Sequence, residues 1–488
     1  MSTLSKIKAL SADTFIYGMS TIVARFISVF LVPIYTRIFD PADFGMVNLV
    51  NTSLMLAGIF VIAGLDNAAA RWYWDNENEE ERKITFSSWF WTQFVASAAV
   101  VLVISSFSVT ISQFIIGNAN SSLLFMLAAA NLPFTALNLV YTSWLRIRKK
   151  ALPSVIFSIS NSMLTIVLSL LLVVVLRQGL VGVFMAQLIS NGLCAVPAAI
   201  GLRKHIKLRY FRKTRVVEML RYSVPLVPAA LAFWILNSAG SFFINYFGSK
   251  ADVGLFQIGT NIAAVSGMLF WAFLQAWSPF AMSIHKEPDA KSIYARVFDI
   301  YISAGSLFVL FIFLFSPQIL RVIATETYVP ASLVAGLLSI NIFIANIAQI
   351  TTIGSAIAKT NRPYLTGVLV GSAISVLAYF ILIPLLNKEG AALGSLAGSI
   401  IIAIYVTIRS QNLYRIPYEF KKNIAIVLVL AASCLASMLL EQTIAGVLLL
   451  KLAILVFFAL FLVVLNRSLA VKLFGSITYL PSLNVPQK

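Results

Sequence analysis

An all-α polytopic membrane protein of about fourteen transmembrane helices, built as two six-helix lobes related by an internal repeat with two helices appended, is predicted by three observations. The 488 residues are 60% hydrophobic and only 11% charged, whereas soluble proteins carry about 25% charged residues. Fourteen apolar runs reach the roughly 20 residues that a helix needs to cross about 30 Å of hydrocarbon. Finally, Ala42-Asp43-Phe44-Gly45-Met46 is echoed by Ala251-Asp252-Val253-Gly254-Leu255 at an offset of 209.

The spans, taken in order, are 12–34, 46–66, 84–106, 121–143, 153–176, 180–201, 223–247, 254–276, 294–316, 331–353, 363–386, 390–408, 424–440 and 446–465. With the N-terminus inside, the even-numbered connections and the two ends hold 28 Lys and Arg, and the odd-numbered connections hold five. That asymmetry places both termini in the cytoplasm. Lys6 and Lys8 precede a span with no small-residue cleavage pattern, so a retained first helix is expected rather than a removable signal peptide.

A second match supports the duplication. Asn131 to Lys149 runs into Leu152-Pro153 and on to Gly179-Leu180-Val181-Gly182, as Asn341 to Lys359 runs into Arg362-Pro363 and on to Gly390-Ala391-Ala392-Leu393-Gly394. The chain therefore divides into an N-terminal lobe at 1–201 (spans 1–6), a basic linker at 202–222, a C-terminal lobe at 223–408 (spans 7–12), and spans 13–14 with a tail at 409–488. The linker sets eight basic residues against Glu218 and reads as an anchor on anionic headgroups.

Several function classes fall away. No outward loop exceeds about 15 residues, which leaves no room for an extracytoplasmic catalytic domain and weighs against a membrane polymerase or ligase. The sequence has no GxxxxGK[ST] phosphate loop and no HExxH. His205 and His285 are far apart, and Cys194 and Cys434 lie in apolar runs, so neither a catalytic residue, a metal site nor a cofactor is expected. The net charge of +18 is accounted for by the inward loops, and no nucleic-acid partner is inferred.

What remains is a set of polar residues inside the spans. Thr14, Gly18, Thr21, Arg25 and Ser28 follow steps of 4, 3, 4 and 3 in span 1 and share one helix face. An arginine near mid-span costs about 2.5–3.5 kcal/mol on insertion scales, so Arg25 calls for a partner, a wet cavity or an anionic ligand. Span 7 carries Asn237, Ser241 and Asn245 four apart, span 8 carries Gln257 and Asn261, and span 2 adds Asn48 and Thr52. Each alone fits interhelical packing; together, on corresponding spans of two halves, they predict a hydrated cleft.

Other charges have plainer readings. Asp66 and Arg71 bracket the inner end of span 2, as a helix-end anchor or a cytoplasmic gate, and Arg296 and Asp299 can pair three apart at the start of span 9. Lys451 reads as snorkelling or lipid-contacting. Pro225 and Pro228 early in span 7 permit a bend. Gly367/Gly371 and Gly394/Gly398 have the spacing of closely packed helices.

These strings carry a family resemblance. Pro33-Ile34-Tyr35-Thr36-Arg37 before Asp43-Phe44-Gly45, Gly64-Leu65-Asp66 followed by Arg71, Arg221-Tyr222-Ser223-Val224-Pro225-Leu226, and Leu382-Ile383-Pro384 before Gly390-Ala391-Ala392 make the chain resemble, over nearly its whole length, the bacterial polysaccharide exporters, or lipid-linked oligosaccharide (O-antigen-type) flippases. That family shares a superfamily with MATE drug exporters and lipid II flippases. The resemblance implies a MATE-like fold in the bacterial cytoplasmic membrane and transfer of an undecaprenyl-diphosphate-linked glycan to the periplasmic leaflet by rocking of two lobes. It implies that Arg25 meets the diphosphate or acidic sugars, that Arg71 receives the ligand at the entrance, and that the amides bond sugar hydroxyls. Membrane lipids, and a polysaccharide polymerase and chain-length proteins, are the implied partners; Asp66 and Asp299 are candidates for coupling to H+ or Na+. A lipid II flippase and a MATE-like exporter stay open as alternatives.

Overall fold

The computed structural model describes residues 31–148, 150–440 and 447–466. Thr21 and Arg25 lie outside the described residues, with most of span 1; the last turn of that span, 31–35, is helical. Among the described residues twelve helical segments are long and apolar enough to cross a membrane. They account for spans 2 to 14, because Arg362–Leu413 contains two. Its 52 residues would measure about 78 Å as one helix, more than twice the hydrocarbon thickness. The direction breaks at Asn387 (φ 46°, ψ −123°), and the two arms pack together. A Cβ on Gly367 would lie 2.8 Å from Val406 Cγ2 and one on Gly394 2.5 Å from Tyr379 Cδ1, so the spaced glycines serve close packing, as expected.

The repeat is visible in local capping. Asp40 Oδ1 accepts the Asp43 N–H at 2.8 Å and starts span 2 (Pro41–Asp75); Ser249 Oγ accepts the Asp252 N–H at 3.1 Å and starts span 8 (Lys250–Ser283). Each oxygen satisfies one of the orphan donors of a helix start. One turn later the spans cross at Gly45 and Gly254. A side chain on Gly45 would collide with the Lys250 carbonyl, and one on Gly254 with that of Pro41; only glycine lets the backbones approach so closely.

Span 6 packs on spans 4 and 5 in the N-terminal lobe, and span 10 packs on spans 8, 9 and the 11–12 hairpin in the C-terminal lobe. Spans 13 and 14 both lie on span 9, fastened by polar contacts. Asp299, 4% exposed, accepts from Asn423 Nδ2 at 2.7 Å and from Lys422 Nζ at 3.2 Å. Asn466 Nδ2 donates to Ser303 Oγ at 3.1 Å, and Lys451 Nζ donates to Gln318 Oε1 at 3.4 Å.

Two expectations are thereby corrected. Asp299 does not pair with Arg296, which is exposed, because docking of span 13 buries the carboxylate and supplies its donors. Nor does Lys451 snorkel: it is 1% exposed and faces span 9.

The linker is also more than a headgroup anchor. Its helix Lys213–Ser223 buries Met219 against Phe86 and Trp89 of span 3. Arg215 pairs with Glu81, and the Arg212 N–H donates to Ser88 Oγ at 3.0 Å. The basic segment is thus clamped to the N-terminal lobe.

Candidate functional site

Beyond the glycine crossing, toward the helix ends that carry the basic loops, side chains of both lobes line a cavity of about 480 Å3. Its floor is a chain of hydrogen bonds across the lobes. Thr52 Oγ1 donates to Asn48 Oδ1 at 3.5 Å, Asn48 Nδ2 donates to Gln257 Oε1, and Gln257 Nε2 donates to Asn261 Oδ1 at 2.9 Å. All four residues line the cavity. The amide stripes of spans 2 and 8 are therefore brought face to face.

Span 7 reaches the cavity through a local defect. Residues Ile235–Ala239 form a π-helical segment, a device that widens one turn and is frequent at functional sites. It turns Asn237 and Ser238 to the cavity. Pro225 and Pro228 fall instead at the start, in the 3-10 turn Val224–Leu226 and the first turn of helix Val227–Trp234, so they are tolerated at helix starts and cause no mid-span bend.

The remaining candidates are spread out. Asn245 lies outside this cavity and donates to the Ile115 carbonyl at 2.7 Å. Arg71 is exposed, 3.6 Å from Asp75 and with its guanidinium 5.0 Å from the Tyr222 ring centre. Asp66 is half-buried beside Asn67, whose Nδ2 donates to it at 3.4 Å. Asp299 is committed to span 13, away from the cavity.

One wall was missed by sequence reasoning. Thr165 and Ser169 of span 5 and Gln187 of span 6 line the cavity, backed by a buried network. Asn161 Nδ2 donates to Asn191 Oδ1 at 3.0 Å, Thr165 Oγ1 donates to Ser190 Oγ at 2.8 Å, and Asn138 Nδ2 donates to the Asn191 carbonyl at 3.1 Å. The signal was present in Asn161, Thr165 and Ser169 four apart. Asn51 and Thr260, neighbours of the predicted residues, also line it.

The cavity wall pairs these amides and hydroxyls with apolar and aromatic surface from Tyr35, Phe44, Phe256 and Met268. Such a mixture hydrogen-bonds a polar ligand while packing its apolar faces.

A family model described as "Polysaccharide biosynthesis protein" matches residues 34–279. No curated protein matches the chain. Among solved structures, lipid II flippase MurJ in an inward closed conformation has a TM-score of 0.75 at 14% identity, covering 93% of this chain and 99% of that one. A multidrug resistance MATE family transporter in an inward-facing conformation has a TM-score of 0.67 at 17% identity, covering 80% and 94%. An outward-facing MATE transporter has a TM-score of 0.61 at 16% identity, covering 83% and 95%. At these identities the likeness establishes a MATE-like fold.

Proposed function

The chain belongs to the polysaccharide biosynthesis protein family, and from that premise we propose that it is a flippase rather than an enzyme, moving an undecaprenyl-diphosphate-linked oligosaccharide repeat unit across the bacterial cytoplasmic membrane for surface polysaccharide assembly. The observation that carries the reading is the polar cavity between repeat-related lobes, sealed at one end by the Gly45/Gly254 crossing. The cavity lies on the basic-loop side of that crossing, and on this reading that side is the cytoplasm, the compartment in which the glycan is built. Rocking of the lobes then separates spans 2 and 8 and releases the glycan on the other side.

Arg25 is assigned to the diphosphate, where a buried cation is repaid by ligand charge. At the equivalent offset of 209 the second half has Trp234, so the cation belongs to one lobe, and a ligand-specific role fits that asymmetry better than a scaffold requirement. Arg71, stacked on Tyr222, receives the headgroup at the cytoplasmic surface. Asp66 is the carboxylate assigned to H+ or Na+ coupling, and a polymerase and chain-length proteins are the partners that take the product.

Deletion in the native host, followed by analysis of lipid-linked sugars, tests the function. A completed repeat unit accumulating in the cytoplasmic leaflet is expected; accumulation outside would instead identify a polymerase or ligase. A second reading, lipid II as cargo, is favoured by the likeness to a lipid II flippase over 93% of this chain. Rescue of a strain depleted of its lipid II flippase would select it.

A further inference from the structure

We infer that the glycan handled by this cavity is electrically neutral, assembled from uncharged and N-acetylated sugars, with anionic charge confined to its phosphate end. This rests on the flippase reading and specifies its substrate class. The walls from spans 2, 5, 6, 7 and 8 present amides and hydroxyls, from Asn48, Asn51, Thr165, Gln187, Asn237 and Asn261, and among the described residues every polar side chain lining the cavity is uncharged.

Charge accounting decides between sugar classes. Desolvating an ionised carboxylate without a partner costs several kcal/mol even after relaxation. A uronate-bearing unit would therefore need cations on the wall. Among the described residues that line the cavity there is no such cation. Neutral sugars suit the wall better. Amides both donate and accept, as do sugar hydroxyls and N-acetyl groups, and Tyr35, Phe44 and Phe256 give apolar ring surface for sugar faces.

The test uses the full-length protein in two bacterial reporter strains that lack their own flippase. One makes a lipid-linked repeat unit of hexoses and N-acetylhexosamines; the other makes a unit carrying one uronic acid. Surface polysaccharide per cell is measured at equal membrane abundance of the protein. The neutral unit is expected to be exported at least about tenfold better. Equal or better export of the acidic unit overturns this inference and leaves the flippase reading standing, whereas export of neither overturns both. In the same strains Asn51→Lys, checked for normal abundance, is expected to shift the acidic-to-neutral ratio upward several-fold, and an unchanged ratio counts against the inference.

Discussion

Asn48 and Gln257 hold the same place in the two repeats, and they are hydrogen-bonded to each other. Equivalent residues can meet only on the axis that relates the halves, so the bond marks the pseudo-two-fold of the molecule. Gly45 and Gly254, also 209 apart, meet one turn away. Flanking them, Thr325 Oγ1 donates to the Thr36 carbonyl at 3.3 Å, and Asn245 Nδ2 donates to the Ile115 carbonyl at 2.7 Å. These two contacts exchange under offsets of 209 and 210. The closed end is a symmetric seal, with Asn245 as part of it.

Locking that seal is expected to stop transport. Asn48→Cys with Gln257→Cys, joined by a short bifunctional thiol reagent, should crosslink efficiently in membranes and lose whatever export the same double variant shows before crosslinking. Full export by the crosslinked protein would show that spans 2 and 8 need not separate.

Arg25→Ala is expected to lower export on the order of 10- to 100-fold, the range for a charge-assisted hydrogen bond of about 1.5–3 kcal/mol, with Arg25→Lys less affected. Export is measured as surface polysaccharide at normal protein abundance. An intact rate in Arg25→Ala would end its assignment to the diphosphate.

Asp299→Ala removes one of the two carboxylates paired with Lys422, leaving Glu419 at 3.3 Å, and takes the acceptor from Asn423 Nδ2, a change costing about 1–3 kcal/mol. It should lower the thermal midpoint and expose the segment between residues 413 and 420 to protease, without changing the neutral-to-acidic substrate ratio. A changed ratio with unchanged stability would return Asp299 to the transport cycle.

His205, outside the spans, carries a pH dependence. Burial lowers its pKa below the ordinary 6.5, helped by the nearby Arg148 and opposed by Glu79; its ring packs edge-on against Trp144 at 5.3 Å. A lowered histidine binds its proton less well folded than unfolded, so stability is present above about pH 6.5 and lost as pH falls. Protection factors over residues 202–210, referred to the intrinsic exchange rate at each pH, should fall from about pH 7.5 to about pH 5, and His205→Gln should flatten that change.

The sequence by itself determined the class, the spans and the duplication, because a hydrocarbon environment forces each crossing to be a long apolar helix and leaves basic residues on one side. It also picked out Asn48, Gln257, Asn261 and Asn237, since amides in apolar spans are costly enough to stand out. The tertiary structure alone decided what each polar residue faces. Asp299 and Lys451 look like Arg25 in a sequence, as charges in or near spans, yet span 9 and its appended helices satisfy both. The wall of Thr165, Ser169 and Gln187 left only a four-apart spacing in span 5 as its signal, which does not stand out because small polar residues occur throughout packed membrane helices, and only the crossing at Gly45 and Gly254 sets which helix faces line a common space.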